Sequence, residues 1–586
     1  MIKTLFSLPV VMILAACGGP SQQEHPLPDG DSVVESLNDG DDTQAADAIY
    51  RNGKIYTVDA GRSWAEAVAI REGHIVYVGS DQGIDEYIGD NTAVRSLDGR
   101  LMLPAFQDAH IHPIYSGLDA LACDLTDLGD LAAYRTRIAE YAATNSDLEW
   151  IHGGGWSMAV FGPGGSPSRT ILDELVPDRP VYLKSADGHS AWVNSVALDM
   201  AGIDEDTPNP SGGIIDRDSV TGELIGSLQE KGAMDLVENL VPKPALDDRI
   251  AALKYARDML HGYGITSVQE AYAFEPDLET YAHLDRAGEL KLRVVAALWW
   301  EREKTEEQIP YLEELRERFT SGHVRATSVK IMQDGVMENY TAAMLEPYFV
   351  DSGTKGIPMI EPELLKDVVT ALDKKDFQVH FHAIGDAAIR QSLDAIEVAE
   401  NTNGKRDLRH HISHLQIFDP ADIARFGELD VIANFQPLWA YADDYVVDLT
   451  IPFIGEERAK WMYPIKSVID SGGTVAFGSD WSVSTANPFP QIEIAVTRID
   501  AWEHDTDVLN PEQRITLEQA IDAFTINAAF VNHHEEKTGS IEVGKLADLI
   551  VVDQNLFDID ATAISDTKVL LTLFAGESVY GDPDDL

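Results

Sequence analysis

Basic residues are scarce in this chain: 44 Lys and Arg face 99 Asp and Glu across 586 residues, a formal net charge of −55. A surface of that sign repels phosphate backbones, which excludes nucleic acid as a partner. Its plain role is solubility, suited to a salty medium that screens self-repulsion. Cysteine is scarcer still, with only Cys17 and Cys123. A phosphate-cradling loop is also missing, because no Gly-Lys-Ser/Thr follows the glycines at 153–155 and 162–165. Apolar residues, by contrast, make up 44% of the chain and include 10 Trp, enough for a large packed core. One α/β barrel with insertions can absorb a chain of this length.

The first residues, MIKTLFSLPVVMILAACGG, run from Lys3 through an apolar stretch to small residues and Cys17. That order predicts a secretory signal over 1–17. LAAC resembles the lipobox of bacterial lipoproteins, which implies lipidation of Cys17 and a cell-envelope location. Gly18 after the cysteine favours the outer membrane. With Cys17 given to lipid, Cys123 has no partner and no disulfide framework is expected. Residues 18–47 are polar, acidic and turn-rich and predict a disordered tether.

From residue 48 the pattern turns to short alternating segments broken by Asn-Gly, Glu-Gly and Asp-Gly, the signature of β-hairpins. A second β-rich piece closes the chain, so 48–102 and 533–586 are expected to pair into one small β-sandwich. Between them, 103–532 alternates short apolar strands with amphipathic helices, as βα units do. Strands are expected at 101–113, 265–271, 292–300, 326–335, 377–386, 408–416, 430–437 and 473–481. Eight parallel strands close a (β/α)8 barrel. The stretch from about 124 to 240 is too long for one helix and reads as an insertion over the barrel's C-terminal face, where such folds keep their active sites.

The chemistry is concentrated at the predicted strand ends. In PAFQDAHIHP, His110 and His112 have the same strand parity and can face one point, and Pro113 suits a strand end. Alone the pair means little, since 17 His in 586 residues give roughly half an H-x-H by chance. However, His380 and His382 end the fifth strand, His414 the sixth and Asp480 the eighth, and Lys330 lies in the fourth. Imidazole and carboxylate together suit zinc-like ions.

These motifs, PAFQDAHIHP, VHFHAIGDAAI, HHISHLQ and FGSDWSV in that order, resemble the amidohydrolase superfamily, and within it the amidohydrolase family 3 (YtcJ-like) branch that includes N-substituted formamide deformylases. The resemblance runs from about Asp47 to the C-terminus and includes DGHSAWVNSVAL in the insertion. It implies one or two divalent metal ions, most simply Zn. His110, His112 and Asp480 would hold one ion, and His382 and His414 a second. Lys330 would bridge them if carboxylated by CO₂; unmodified, it leaves a mononuclear site. The implied activity is hydrolysis of an amide C–N bond in a small N-acyl or N-formyl amine, with Asp480 as base and then acid. An ester, lactone or cyclic-amide hydrolase on the same centre is the alternative, and a non-catalytic binding lipoprotein a more distant one. Self-association is left open.

The resemblance also implies that His189 contacts substrate or polarises its carbonyl. Trp156, flanked by glycines, is a candidate pocket wall. Asp334 either orients a ligand or caps a turn, and Asp108 braces its strand end. His380 lies deeper than His382 and reads mainly as a core residue. His410 and His411 read as structural, and His25, His533 and His534 as solvated. Where relatives often carry aspartate after the second strand, this chain has Gln269 and Glu270, which loosens any expectation of specificity there.

Overall fold

A computed structural model of the protein describes residues 45–586 apart from 127, 163 and 164. The signal segment with Cys17, His25 and the tether up to residue 44 lie outside the described residues. The tether was expected to run to 47, but the folded chain already begins at Ala46. That residue is 4% exposed and its N–H donates to Tyr87 O at 2.8 Å. Among the described residues no helix is long and apolar enough to cross a membrane.

Eight parallel strands form the central sheet. In chain order they are β1 (Phe106–Ile111), β2 (Ile265–Ala273), β3 (Arg293–Trp299) and β4 (Val324–Met332), then β5 (Gln378–Ala383), β6 (His411–His414), β7 (Ile432–Phe435) and β8 (Val475–Phe477). Each pairs with the next, and beyond β8 the Asp480 N–H reaches His110 O at 2.7 Å, while the His112 N–H reaches Trp481 O at 3.2 Å. Those bonds close the barrel. The intervening helices follow from amphipathic spacing. Pro362–Lys374, for example, starts with proline in its first turn and buries Leu365, Val368, Val369 and Leu372 on one face.

The expected first strand at 101–113 is two strands. Leu101–Pro104 lies in another sheet, and the chain crosses into the barrel at Ala105, whose N–H donates to Asp548 O at 2.9 Å. Both pieces are wholly buried, so no polar residue marks the crossing. Both chain ends build that other sheet: Leu549–Val552 pairs antiparallel with Leu101–Pro104, which also pairs with Lys54–Tyr56. A four-stranded sheet of N-terminal strands completes the β-rich part. There Glu72 and Gly73, at φ 50° and 77°, form the two-residue turn joining Ala67–Arg71 to His74–Gly79. Glycine meets the left-handed requirement of that turn without strain.

Between β1 and β2, six strands from Cys123–Asp124 to Leu224–Gln229 form a sheet of their own. Its loops help to wall the cavity at the barrel mouth.

Candidate metal centre and active-site cavity

The strand register brings the predicted residues together. Lys330 pairs with His380 across β4 and β5, Met332 with His382, and Ala383 with His414 across β5 and β6. Asp480 follows β8 in a left-handed backbone conformation, φ 55°, and His414 ends β6 at φ 81°. Non-glycine residues rarely adopt such angles, and when they do they cluster at functional sites.

Asp480 is the hub. Its Oδ1 lies 2.9 Å from His112 Nε2 and 3.3 Å from His110 Nε2, and its Oδ2 lies 3.8 Å from His414 Nδ1. His110, His414 and Asp480 bring one donor atom each within 4.8 Å of one another. His382 stands beside them, its ring 4.4 Å from that of His414. Its Nε2 lies 3.2 Å from Gly335 O, which requires the Nε2–H tautomer and leaves Nδ1 as the lone-pair nitrogen. Lys330 Nζ sits 3.4 Å from His110 Nε2.

Burial sets the charge states. It lowers His110 to about 3 and drives His382 and His414 well below the usual imidazole range, so all three are neutral and offer lone pairs. Asp480 stays ionised although burial opposes it, because the hydrogen bonds it accepts from His110 and His112 hold its carboxyl well below the ordinary value. Burial lowers Lys330 to about 7, putting the free amine within reach of neutral pH. His414 Nδ1 is buried with no hydrogen-bond partner, whereas at His112 the Asp480 and Glu270 carboxylates outweigh burial and raise the imidazole to about 9. Leaving an atom like His414 Nδ1 unsatisfied costs about 1–3 kcal/mol, and a cation accepting its lone pair removes that cost. The donor set therefore fits a divalent metal.

A surrounding layer fixes these ligands. His380 Nε2 contacts His110 Nδ1 at 2.7 Å and Ser413 Oγ at 2.9 Å, so this deeper histidine orients a donor rather than only filling core. Asp108 accepts from the His110 N–H at 3.0 Å and from the Ser479 N–H at 3.0 Å, bracing β1 against the end of β8. Asp334 caps a turn and flanks a ligand at once. It accepts the Ile384, Gly385 and Ala343 N–H groups, and its Oδ1 lies 3.5 Å from His382 Nε2. Glu270, 3.6 Å from His112 Nδ1, is held by the Tyr272 N–H and the Tyr281 hydroxyl, while Gln269 bonds Gln378.

The cavity above these groups measures about 1010 Å³ and is lined by all six predicted ligands and by His189. His189 Nδ1 lies 3.0 Å from Glu230 Oε2, and Glu230 in turn accepts the Thr341 hydroxyl at 2.6 Å. Burial opposes charge on His189, but Glu230 and Asp187 outweigh it and raise the imidazole to about 9. Glu230 escaped the sequence reading; its only local mark is a strained φ of 62°, which sequence does not display.

Trp156 is a correction. It does not line the cavity: it is fully buried, packs against Phe161 and Trp192, and donates Nε1–H to Leu183 O at 2.8 Å. The walls come instead from other aromatics, Tyr115, Tyr272, Trp299 and Trp439 among them. His534 is a second correction, being 7% exposed rather than solvated, with Ser267 Oγ 3.4 Å from its Nδ1. His410 is structural, accepting the Val379 N–H at 3.0 Å.

Residues 93–580 match the model of the family described as Amidohydrolase family. The chain belongs to the amidohydrolase family. It is an enzyme, a hydrolase acting on carbon–nitrogen bonds other than peptide bonds, which sets the non-catalytic reading aside. The amidohydrolase is 32% identical to Protein LONG AFTER FAR-RED 3 of Arabidopsis thaliana over 91% of its own length and 92% of that protein. It is 30% identical to the putative amidohydrolase YtcJ of Bacillus subtilis, covering 91% and 99%. It is 26% identical to the N-substituted formamide deformylase of Arthrobacter pascens, covering 92% and 99%. The crystal structure of an uncharacterized metal-dependent hydrolase from Pyrococcus furiosus superposes with a TM-score of 0.67 at 26% identity, covering 87% of this chain and 99% of that one.

Proposed function

We propose that this amidohydrolase cleaves the amide bond of small N-acyl or N-formyl amines at the β-strand ends, using a divalent metal, most simply zinc. The observation that carries the reading is the placement of Asp480 within 2.9 to 3.8 Å of three strand-end histidines, His110, His112 and His414. His110, His414 and Asp480 form the compact ligand set, a different grouping from the paired sets that the family resemblance implies. His112 and His382 complete the ring of donors. Lys330, if its amine were carboxylated, would help to hold a second ion; without that carbamate one ion would suffice.

When bound, a divalent metal acidifies its water and polarises the scissile carbonyl. The protein's own groups then move the proton: an Asp480 carboxylate oxygen accepts it and passes it to the departing amine nitrogen. His189, braced by Glu230, donates a hydrogen bond to the carbonyl oxygen as charge develops there. The aromatic walls hold the substrate and exclude bulk water. The formamide-deformylase relative supports formyl amines as the first substrates to try. Attachment to the outer membrane through a lipidated Cys17 is part of the same proposal, and Cys17→Ser is expected to release the protein from membranes.

Purified, metal-replete protein assayed against matched amides and esters tests this reading. Amide turnover that is lost on chelation and restored by zinc is the expected result. Ester or lactone turnover without amide turnover would overturn it.

A further inference from the structure

The same cavity holds three carboxyl groups that, among the described residues, pair with no lysine or arginine. Asp187 lies in the loop between Val181–Ser185 and Ser190–Val193, Glu338 follows β4, and Asp443 caps the helix Asp444–Val447; all three line the cavity. Glu338 is 8% exposed, and among the described residues its carboxylate has no ion-pair partner and is held only by its own backbone amide. Asp187 Oδ1 accepts from the His189 N–H at 3.0 Å and from the Ser185 hydroxyl, but its Oδ2 is buried with no hydrogen-bond partner. Asp443 Oδ1 accepts the Val446 N–H at 2.8 Å.

The cations on the cavity wall are engaged elsewhere. Lys184 lies 3.5 Å from Asp119, Lys231 2.8 Å from Asp235, and Arg302 2.9 Å from Glu303. The positive group that acts on Asp187 and Glu338 is His189, itself 3.0 Å from Glu230. Burying unpaired carboxylates is costly, and the cost shows in their proton affinity. Burial, aided by Asp187 and Asp443, pushes Glu338 up to about 8, and burial pushes Asp443 up to about 7. These carboxylates do not form a second metal site. Among the described residues only His110, His414 and Asp480 bring three donor atoms within 4.8 Å, so the acids stand too far apart to share one ion. Asp187 and Asp443 still act on the charge of Glu338, so the three are near enough to serve one larger organic cation. Trp439, one face of which stacks on His414, and Tyr441 line the same cavity and add aromatic surface that favours such a cation further.

We infer that Asp187, Glu338 and Asp443 form a subsite for a protonated nitrogen, an ammonium or guanidinium, on the substrate and separate from the scissile amide. The substrate class is thus a small amide carrying a second, basic nitrogen. The inference rests on the amide-hydrolase reading only for which bond is cut; the cation subsite stands independently of it.

Calorimetric titration of the metal-replete full chain with benzylammonium and with benzyl alcohol, its neutral isostere, reads the subsite without hydrolysis. The salt must be high, since a net charge of −55 attracts any cation loosely and screening removes that background. Benzylammonium is expected to bind at least about tenfold tighter, and Glu338→Gln and Asp187→Asn are each expected to shrink that preference severalfold. Equal affinities, no binding of the ammonium, or a preference unchanged in both variants would overturn the subsite. N-formyl diamines compared with chain-matched N-formyl alkylamines then test the substrate class. If neither amide turns over while the ammonium preference holds, the amide reading falls and the subsite survives.

Discussion

Gly478 lies on the seam where the barrel closes, and Gly478→Ala tests whether that closure sets the site. A Cβ at this position would stand 2.5 Å from His110 N, 2.7 Å from His110 Cβ and 2.9 Å from His110 Cα. Ordinary contact needs about 3.5 Å or more, so β1 and the end of β8 must part by roughly 1 Å. Backbone provides the obstacle on both sides, and no flexible side chain can swing away. Overpacking of this kind costs about 1–3 kcal/mol. The larger effect falls on function, because the displaced segment leads directly to Asp480, whose N–H bonds His110 O at 2.7 Å. Misplacing a reacting group by 1 Å costs on the order of 100-fold in rate. The assay is kcat/KM and metal content beside the thermal midpoint. A variant with the parent's metal content and rate would show that the seam does not position the ligands.

Further expectations concern single groups. His414→Ala removes one member of the compact donor set and is expected to lower bound metal measurably, with a rate loss of about 100-fold or more, read by metal analysis and steady-state kinetics. His410→Ala is expected to keep the parent's rate while losing about 1–3 kcal/mol in denaturant unfolding, because the Val379 N–H loses its buried acceptor. Burial, with the nearby Glu270 charge, raises Asp277 from 3.8 to about 7, so the native state prefers its protonated form. That contribution is complete below about pH 4 and is lost as pH rises to about 7. Asp277→Asn keeps an acceptor for the Phe274 N–H and escapes the loss. Its stability relative to the parent should therefore climb by up to about 4 kcal/mol between pH 4 and 7 and then level off. A difference that stays constant with pH would refute the shift.

The barrel was legible because strands and helices carry different periods, and because strand parity places His110 and His112 on one side without knowledge of any partner. What sequence did not show is contact between distant segments. His380 reads as core until its Nε2 is seen 2.7 Å from His110 Nδ1, and the brace expected of Asp108 gains its partner only when Ser479 is found donating to it. Only the closed barrel brings His414 and His110 to the same Asp480. Trp156 misled for a local reason. The glycines that suggested an open loop instead permit close packing, Gly153 against the Cys123 backbone and Gly155 against Thr126, and the strand they belong to carries Trp156 into the core. Within 101–113 the apolar run at 101–106 hid a change of sheet, because both halves are buried and hydrophobic patterning is blind to which layer buries them.

The β-rich part supplies no ligand, yet it governs where β1 begins, and Asp548 is the group through which it does so. This carboxylate, 4% exposed, pairs with Arg293 at the start of β3, accepts the Ala575 N–H at 2.7 Å, and lies 3.4 Å from Thr266 Oγ1 on β2. Its own carbonyl accepts the Ala105 N–H at 2.9 Å, where the chain enters the barrel. One residue thus ties the C-terminal sheet to β2, β3 and the root of β1, beneath the strand that carries His110 and His112. Asp548→Ala leaves the Arg293 guanidinium, 7% exposed, without its counter-charge, a loss of about 3–5 kcal/mol. Because a metal that binds only the closed barrel stabilises it by mass action, excess zinc should recover part of the lost midpoint in this variant. In a variant that also lacks a metal ligand, such as Asp548→Ala with His414→Ala, zinc should recover much less. Equal recovery in the two would mean that closure and metal binding are not linked through β1.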